Sequence, residues 1–73
     1  MTKRTERQRA VDLVAAEMIL NRTAADKLDE SISHCCWRFP VVSQVWENLV
    51  ETATTATIQR FKRDVLKSAH LTK

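Results

Sequence analysis

The main break in the helical pattern of this chain lies in the segment WRFPVVSQVW, residues 37–46. Proline has a fixed φ and no backbone N–H, so Pro40 cannot continue a preceding helix but suits the first turn of a new one. Before this break, apolar residues recur at helical spacing at Leu28, Ile32, Cys35 and Cys36. The sequence therefore predicts one helix over about residues 24–37 and another that begins at residue 40.

A further helix is predicted over about residues 5–20. Thr5 followed by Gln8 fits a capping box. One helical face of this segment is apolar and carries Val11, Val14, Ala15 and Met18. After it, Asn21 suits a left-handed closing residue because the chain has no glycine. Thr23 and Asp26 are then suited to cap the next helix.

The apolar pattern shifts sideways in the second half of the chain. Val42, Val45, Trp46, Leu49 and Ala53 share one narrow helical face. At about 100° per residue, Ile58, Phe61 and Val65 lie about 100° to 160° away from Val42. The shift falls in residues 52–57, which hold four threonines, and β-branched threonine is a poor helix former. Either the chain breaks there into helices at about 40–53 and 57–70, or one long helix buries two different faces.

Length and composition predict one helical domain over residues 1–73. The chain is 44% hydrophobic with a net charge of +3, and no charge-free stretch exceeds eight residues. Such a stretch is far shorter than a membrane span of about 20 residues, and the N-terminal segment lacks signal-peptide character. We expect a cytoplasmic all-α protein with three or four short antiparallel helices. A domain this small buries only about 60% of its unfolded surface, which favours a homodimeric helical bundle.

The sequence gives no support for catalysis or for a cofactor. Without glycine it lacks the material for phosphate-binding loops and nucleophile elbows. Its soft metal ligands are His34, Cys35, Cys36 and His70. Adjacent cysteines diverge by about 100° on a helix and lie too close for an unstrained disulfide. We therefore interpret Cys35 and Cys36 as reduced packing residues and predict no catalytic residue, metal or cofactor.

Large apolar side chains cluster around the proline break. We name this set the aromatic corner, and it comprises Trp37, Phe39, Val42, Val45 and Trp46. Short helices have difficulty covering both Trp37 and Phe39, and aromatic anchors often supply much of the binding energy at interfaces. The aromatic corner is therefore predicted to bind a second copy or another protein, with ordinary core packing as the alternative.

Charge is segregated along the chain. Residues 1–9 carry a net charge of +3, residues 10–30 carry −3, residues 31–53 carry −1 and residues 54–73 carry +4. Complementary charges of this kind favour the docking of a terminal helix of one copy against the central part of another. The same pattern supports an alternative function, a DNA-binding transcriptional regulator that contacts phosphates through Lys3, Arg4, Arg7, Arg60, Arg63 and Lys67.

The segments Met1–Arg9 and His34–Pro40, together with the total length, resemble the small early proteins of the exo-xis region of lambdoid bacteriophages. The resemblance implies a non-enzymatic accessory protein that modulates phage development or host physiology in the host cytoplasm. It implies a host protein as partner and supplies no site residues of its own. The leading interpretation is thus a small regulatory protein that acts by protein–protein binding.

Overall fold

The computed structural model describes residues 5–71, and all regular structure in that range is helical. The elements are α1 (Glu6–Leu20), a 3₁₀ turn (Ala25–Lys27), α2 (Leu28–Arg38), α3 (Pro40–Thr52) and α4 (Thr55–Ser68). The all-α prediction is confirmed. The helix boundaries expected from the sequence differ from the observed ones by at most four residues.

Helix α1 contacts each of the other three helices. Its buried apolar face carries Ala10, Val11, Val14, Ala15 and Met18, which includes the whole face predicted from the sequence. The other helices bury Ile32 and Cys35 from α2, Val42 from α3, and Phe61 and Val65 from α4. One hydrophobic core therefore joins all four helices, and its widest face belongs to α1.

The chain breaks between α3 and α4, which decides between the two alternatives left open by the sequence. Ala53 is extended (φ −90°, ψ 155°) and ends α3. The Thr54 hydroxyl accepts a hydrogen bond from the Thr57 backbone N–H (3.4 Å), so Thr54 caps α4. Because α4 is a separate helix, it can turn Phe61 and Val65 into the core out of phase with α3.

The predicted cap of α1 is confirmed in part, and the predicted cap of α2 is wrong. Thr5 Oγ1 accepts from the Gln8 backbone N–H (3.1 Å), but the Gln8 side chain donates to Asp12 instead of returning to Thr5. At the start of α2, neither the 3₁₀ turn nor the helix has a side-chain cap. The chain enters α2 through the turn Ala25–Lys27, so Thr23 and Asp26 do not take up capping geometry.

Two helices end in the left-handed conformation that glycine normally provides. Arg22 (φ 52°) follows α1, and His70 (φ 60°) follows α4. At the first end, Arg22 N–H donates to Ile19 O and Thr23 N–H donates to Met18 O, which is a Schellman motif. The left-handed residue is therefore Arg22 and not Asn21. Asn21 has a φ of −93° and directly precedes the left-handed residue.

Replacing Arg22 with glycine is expected to stabilise the fold. A side chain with a Cβ is unfavourable in this conformation, so Arg22→Gly should raise the free energy of unfolding by about 0.5 to 1 kcal/mol. The matched control is Arg9→Gly, an exposed position within α1, where glycine should lower it by about 1 kcal/mol. Urea denaturation measures both values. Equal destabilisation by the two substitutions would contradict the left-handed assignment.

Candidate protein-interaction surface

The most exposed large hydrophobic side chain among the described residues is Trp37, in the last turn of α2. It is 91% exposed, whereas Cys35, two residues earlier, is 0% exposed. Two residues on a helix lie about 200° apart around its axis. Since Ile32 and Cys35 fix the buried side of α2, Trp37 has to lie on the opposite side, in solvent.

Trp37 forms one wall of an open cleft between α2 and α3, which we name the tryptophan cleft. Its lining residues are Ser33, Cys36, Trp37, Ser43, Trp46 and Glu47. The cleft forms because Phe39 is extended (φ −125°, ψ 110°), as residues before proline prefer to be, and Pro40 starts α3 at once. One face of α2 and one face of α3 therefore line the same cleft.

The structure divides the predicted aromatic corner. Trp37 and Trp46 line the tryptophan cleft together. Val45 lines a different cleft with Glu6 and Glu51, while Phe39 lies under the Arg38 guanidinium at 5.2 Å. Val42 is 0% exposed and belongs to the core. It offers no surface to a partner, so its assignment to the interface is corrected to core packing.

Trp46 lies close to two neighbouring side chains of α4, Phe61 and Lys62. Its ring is 5.8 Å from the ring of Phe61, measured between centroids and tilted by 45°. The Lys62 ammonium lies 6.0 Å from the centre of the Trp46 ring and 3.0 Å from Asp29 Oδ1. These contacts tie α4 to α2 and α3 and give the tryptophan cleft a fixed wall beside the exposed indole of Trp37.

A buried carboxylate anchors the end of α2 that carries Trp37. The Glu17 side chain is 9% exposed, and Arg38 Nη1 lies 2.8 Å and 3.0 Å from its two oxygens. Asn21 Nδ2 donates to Oε1 at 3.2 Å, and His34 Nε2 lies 3.5 Å from the same oxygen. We name these four residues the Glu17 cluster. It joins the C-terminal halves of α1 and α2.

Both cysteines are free thiols, and both are poor nucleophiles. Burial raises the pKa of Cys35 from its ordinary 9.0 to about 11, with further contributions from Glu17 and Cys36, while Arg38 opposes the shift. Burial, followed by the charge of Glu47, also raises the pKa of Cys36. The reactive form of cysteine is the thiolate. The two thiols are therefore protonated at neutral pH, as suits packing residues.

The basic residues proposed for DNA contact fall into different environments. Lys3 and Arg4 lie outside the described residues. Arg7 is half-buried, with Nη2 3.6 Å from Asp64 Oδ2, so its charge is already engaged. Three exposed cations of α4 have no ion pair to any residue within 5–71, and they are Arg60, Arg63 and Lys67. The structure thus leaves one basic stripe on α4, without support from Arg7.

Comparison with protein-family models, with curated proteins and with solved structures found no match to this chain. Within residues 5–71, no helix has the length and apolar character needed to cross a membrane. In the same part of the chain, no group of three or more His, Cys, Asp or Glu residues is placed to hold a metal ion. Residues 5–71 thus form four α-helices, with Trp37 exposed beside the tryptophan cleft.

The Glu17–Arg38 pair is expected to contribute measurably to stability. In a double-mutant cycle with Glu17→Gln and Arg38→Gln, the coupling energy should be about 1 to 2 kcal/mol, reduced because the Arg38 side chain is 51% exposed. The control cycle uses Lys62 and Asp29, whose carboxylate side chain is 80% exposed, and should give less than about 0.5 kcal/mol. Urea denaturation of each variant supplies the energies. Equal coupling in the two cycles would contradict a structural role for the Glu17 cluster.

Stability should fall in alkaline solution because of Cys35. Its folded-state pKa is about 11 and its ordinary value is 9.0, so the folded state holds the thiol proton more tightly. The contribution of this thiol is complete below pH 9 and is lost progressively towards pH 11, up to about 2 to 3 kcal/mol. Urea denaturation across this window measures the loss. The variant Cys35→Ala should show a shallower decline, and identical declines would contradict the assignment.

Proposed function

We propose that this chain is a small regulatory protein, without catalytic activity of its own, that acts by binding another protein through the tryptophan cleft. The observation that carries the proposal is the 91% exposure of Trp37 beside a cleft that is also lined by Trp46. The core already contains Phe61, Met18 and Ile32. Because other residues fill the core, folding of this chain does not explain a tryptophan at position 37.

The energetics favour a binding role for Trp37. An aromatic side chain buries about 150 to 250 Å² when it is covered. At about 25 cal/mol per Å² this corresponds to roughly 4 to 6 kcal/mol of favourable free energy. That is enough to offset a substantial part of the free-energy cost of association, about 4 to 15 kcal/mol. One exposed indole can therefore dominate the affinity of a small interface.

The surroundings of the cleft also suit a protein partner. Its lining combines the indoles of Trp37 and Trp46 with the Glu47 carboxylate and the hydroxyl groups of Ser33 and Ser43. Protein interfaces commonly combine aromatic side chains with hydrogen-bonding groups. Both sides of the cleft lie on helices, and the Glu17 cluster and Pro40 fix the positions of those helices. Because the backbone is already ordered, binding costs less conformational entropy.

The resemblance to the exo-xis proteins of lambdoid phages supplies the proposed setting. In that setting the chain acts in the cytoplasm of a bacterial host and modulates phage development or host physiology through a host protein. The aromatic surface supports the binding step of this proposal. The identity of the process comes from the resemblance alone.

A DNA-binding regulator is the second candidate, favoured by the basic stripe on α4. Arg60, Arg63 and Lys67 recur on one side of that helix and are all exposed. The ion pair of Arg7 with Asp64 occupies one predicted phosphate contact, and it also places a cation 3.6 Å from the carboxylate that interrupts the stripe. Duplex binding that weakens steeply with added salt, and that is lost when the three α4 cations are replaced by alanine, would favour this function.

Substitution of Trp37 is expected to weaken partner binding strongly while leaving the fold intact. Tagged wild-type protein is used to capture its partner from host lysate, and the captured protein is then purified and titrated by calorimetry. Trp37→Ala should weaken the affinity by at least about 30-fold, the effect of a hot-spot residue. The matched control is Leu20→Ala, since Leu20 is 76% exposed but lines no part of the cleft. Equal affinity of wild type and Trp37→Ala would contradict the proposed function.

A further inference from the structure

We propose that the tryptophan cleft joins two copies of this chain, with Trp37 of each copy seated in the cleft of the other. This arrangement rests on the proposed function, because it names a second copy as a partner of the same surface.

A projecting side chain and a recess lie next to each other on one face of the molecule. Trp37 is 91% exposed, and the adjoining cleft has a volume of about 420 Å³. That volume falls in the lower part of the range of pockets that enclose small ligands, about 300 to 1,000 Å³. The recess is therefore large enough to receive an indole ring.

Because the projecting Trp37 lies beside the tryptophan cleft, this face of the molecule is complementary to a second copy of itself. In a two-fold dimer the same patch is used by both copies, so that if residue i contacts residue j, then j also contacts i. A two-fold axis beside Trp37 places each indole in the opposite recess at the same time. The two indoles also become neighbours, since each Trp37 lines its own cleft, and aromatic rings in such proximity favour offset or tilted contacts.

The cleft offers the hydrogen-bond acceptors that the N–H group of a buried tryptophan needs. An indole carries one N–H donor and no acceptor, and that donor needs a partner once water is removed. The lining of the cleft offers acceptors at the Glu47 carboxylate and at the hydroxyl groups of Ser33 and Ser43. Insertion of Trp37 therefore does not leave its N–H unsatisfied.

Charge also favours the reciprocal arrangement. Glu47 is exposed and has no ion pair to any residue in the described range 5–71. Arg38 follows Trp37 directly, and its side chain remains 51% exposed although Nη1 is bound to Glu17. Its remaining guanidinium nitrogens are available as donors. When Trp37 enters the opposite cleft, it brings these remaining N–H donors of Arg38 towards Glu47, which has no ion pair within residues 5–71.

The dimer should be weak because the contact is small. A standard interface buries about 800 Å² on each side, whereas this one centres on two indoles and the rims of two clefts. Analytical ultracentrifugation from about 1 to 500 µM, which spans the affinities of transient interfaces, should show a concentration-dependent monomer–dimer equilibrium. Trp37→Ala should lower the association constant by at least about 30-fold, and Leu20→Ala should change it less than about twofold.

A mixing experiment tests the reciprocal insertion itself. The double variant Ser33→Gln and Ser43→Gln narrows the recess but keeps Trp37, whereas Trp37→Ala lacks the indole and keeps the other five residues that line the recess. Each should be monomeric alone, with helicity checked by circular dichroism. Mixed together, they should form a heterodimer through one intact indole–cleft contact, weaker than the wild-type dimer. A mixture that stays monomeric, although the wild type dimerises, would overturn the reciprocal insertion.

Failure of the dimer is distinguishable from failure of the proposed function. A wild-type chain that is monomeric throughout the concentration range overturns the dimer, and so does dimerisation that Trp37→Ala leaves unchanged. If Trp37→Ala nevertheless loses the affinity for the captured host protein, the proposed function stands and only the second-copy assignment fails. If Trp37→Ala affects neither self-association nor capture, both proposals fail.

Discussion

The extended Phe39 and the ring of Pro40 impose the constraint on which the surface depends. Proline cannot donate the hydrogen bond that would extend α2, and its fixed φ starts α3 immediately. With Phe39 as the single residue between the two helices, the last turn of α2 and the first turns of α3 must lie side by side. The tryptophan cleft is the direct product of that closeness, and a longer connection would let the two faces separate.

The fold divides its aromatic residues between two tasks. Phe61 is fully enclosed, Trp46 and Phe39 lie half-buried at the edge of the core, and Trp37 lies in solvent. The core depends mainly on aliphatic side chains of α1, together with Phe61. The chain therefore closes a small core by itself and still carries a large apolar side chain outside it, which separates the requirements of folding from those of binding.

Much of this arrangement follows from local sequence patterns, and the remainder depends on contacts between distant residues. Pro40 and the apolar face of α1 act within a few residues, so spacing alone predicts their effects. The exposure of Trp37 was also predictable from residue spacing, because Trp37 lies about 200° from Cys35 around the helix. Val42 and Trp46 share a face of α3, and only the depth of packing against α1 and α4 places one in the core and the other in the cleft.

The Glu17 cluster was missed because Arg38 is 21 residues away from Glu17 along the chain. A carboxylate in phase with the buried Ala10 and Val14 was nevertheless a usable signal, since such a group needs a buried partner.

Because the chain has no tyrosine, its near-ultraviolet absorption arises mainly from its two tryptophans. One of them is 91% exposed, whereas the other lies 5.8 Å from a phenyl ring and 6.0 Å from a lysine ammonium. The molecule therefore contains two intrinsic optical probes in unlike environments. The indole of Trp37 reports on the state of the outer surface, and the indole of Trp46 reports on the junction of α3 with α4, without any attached label.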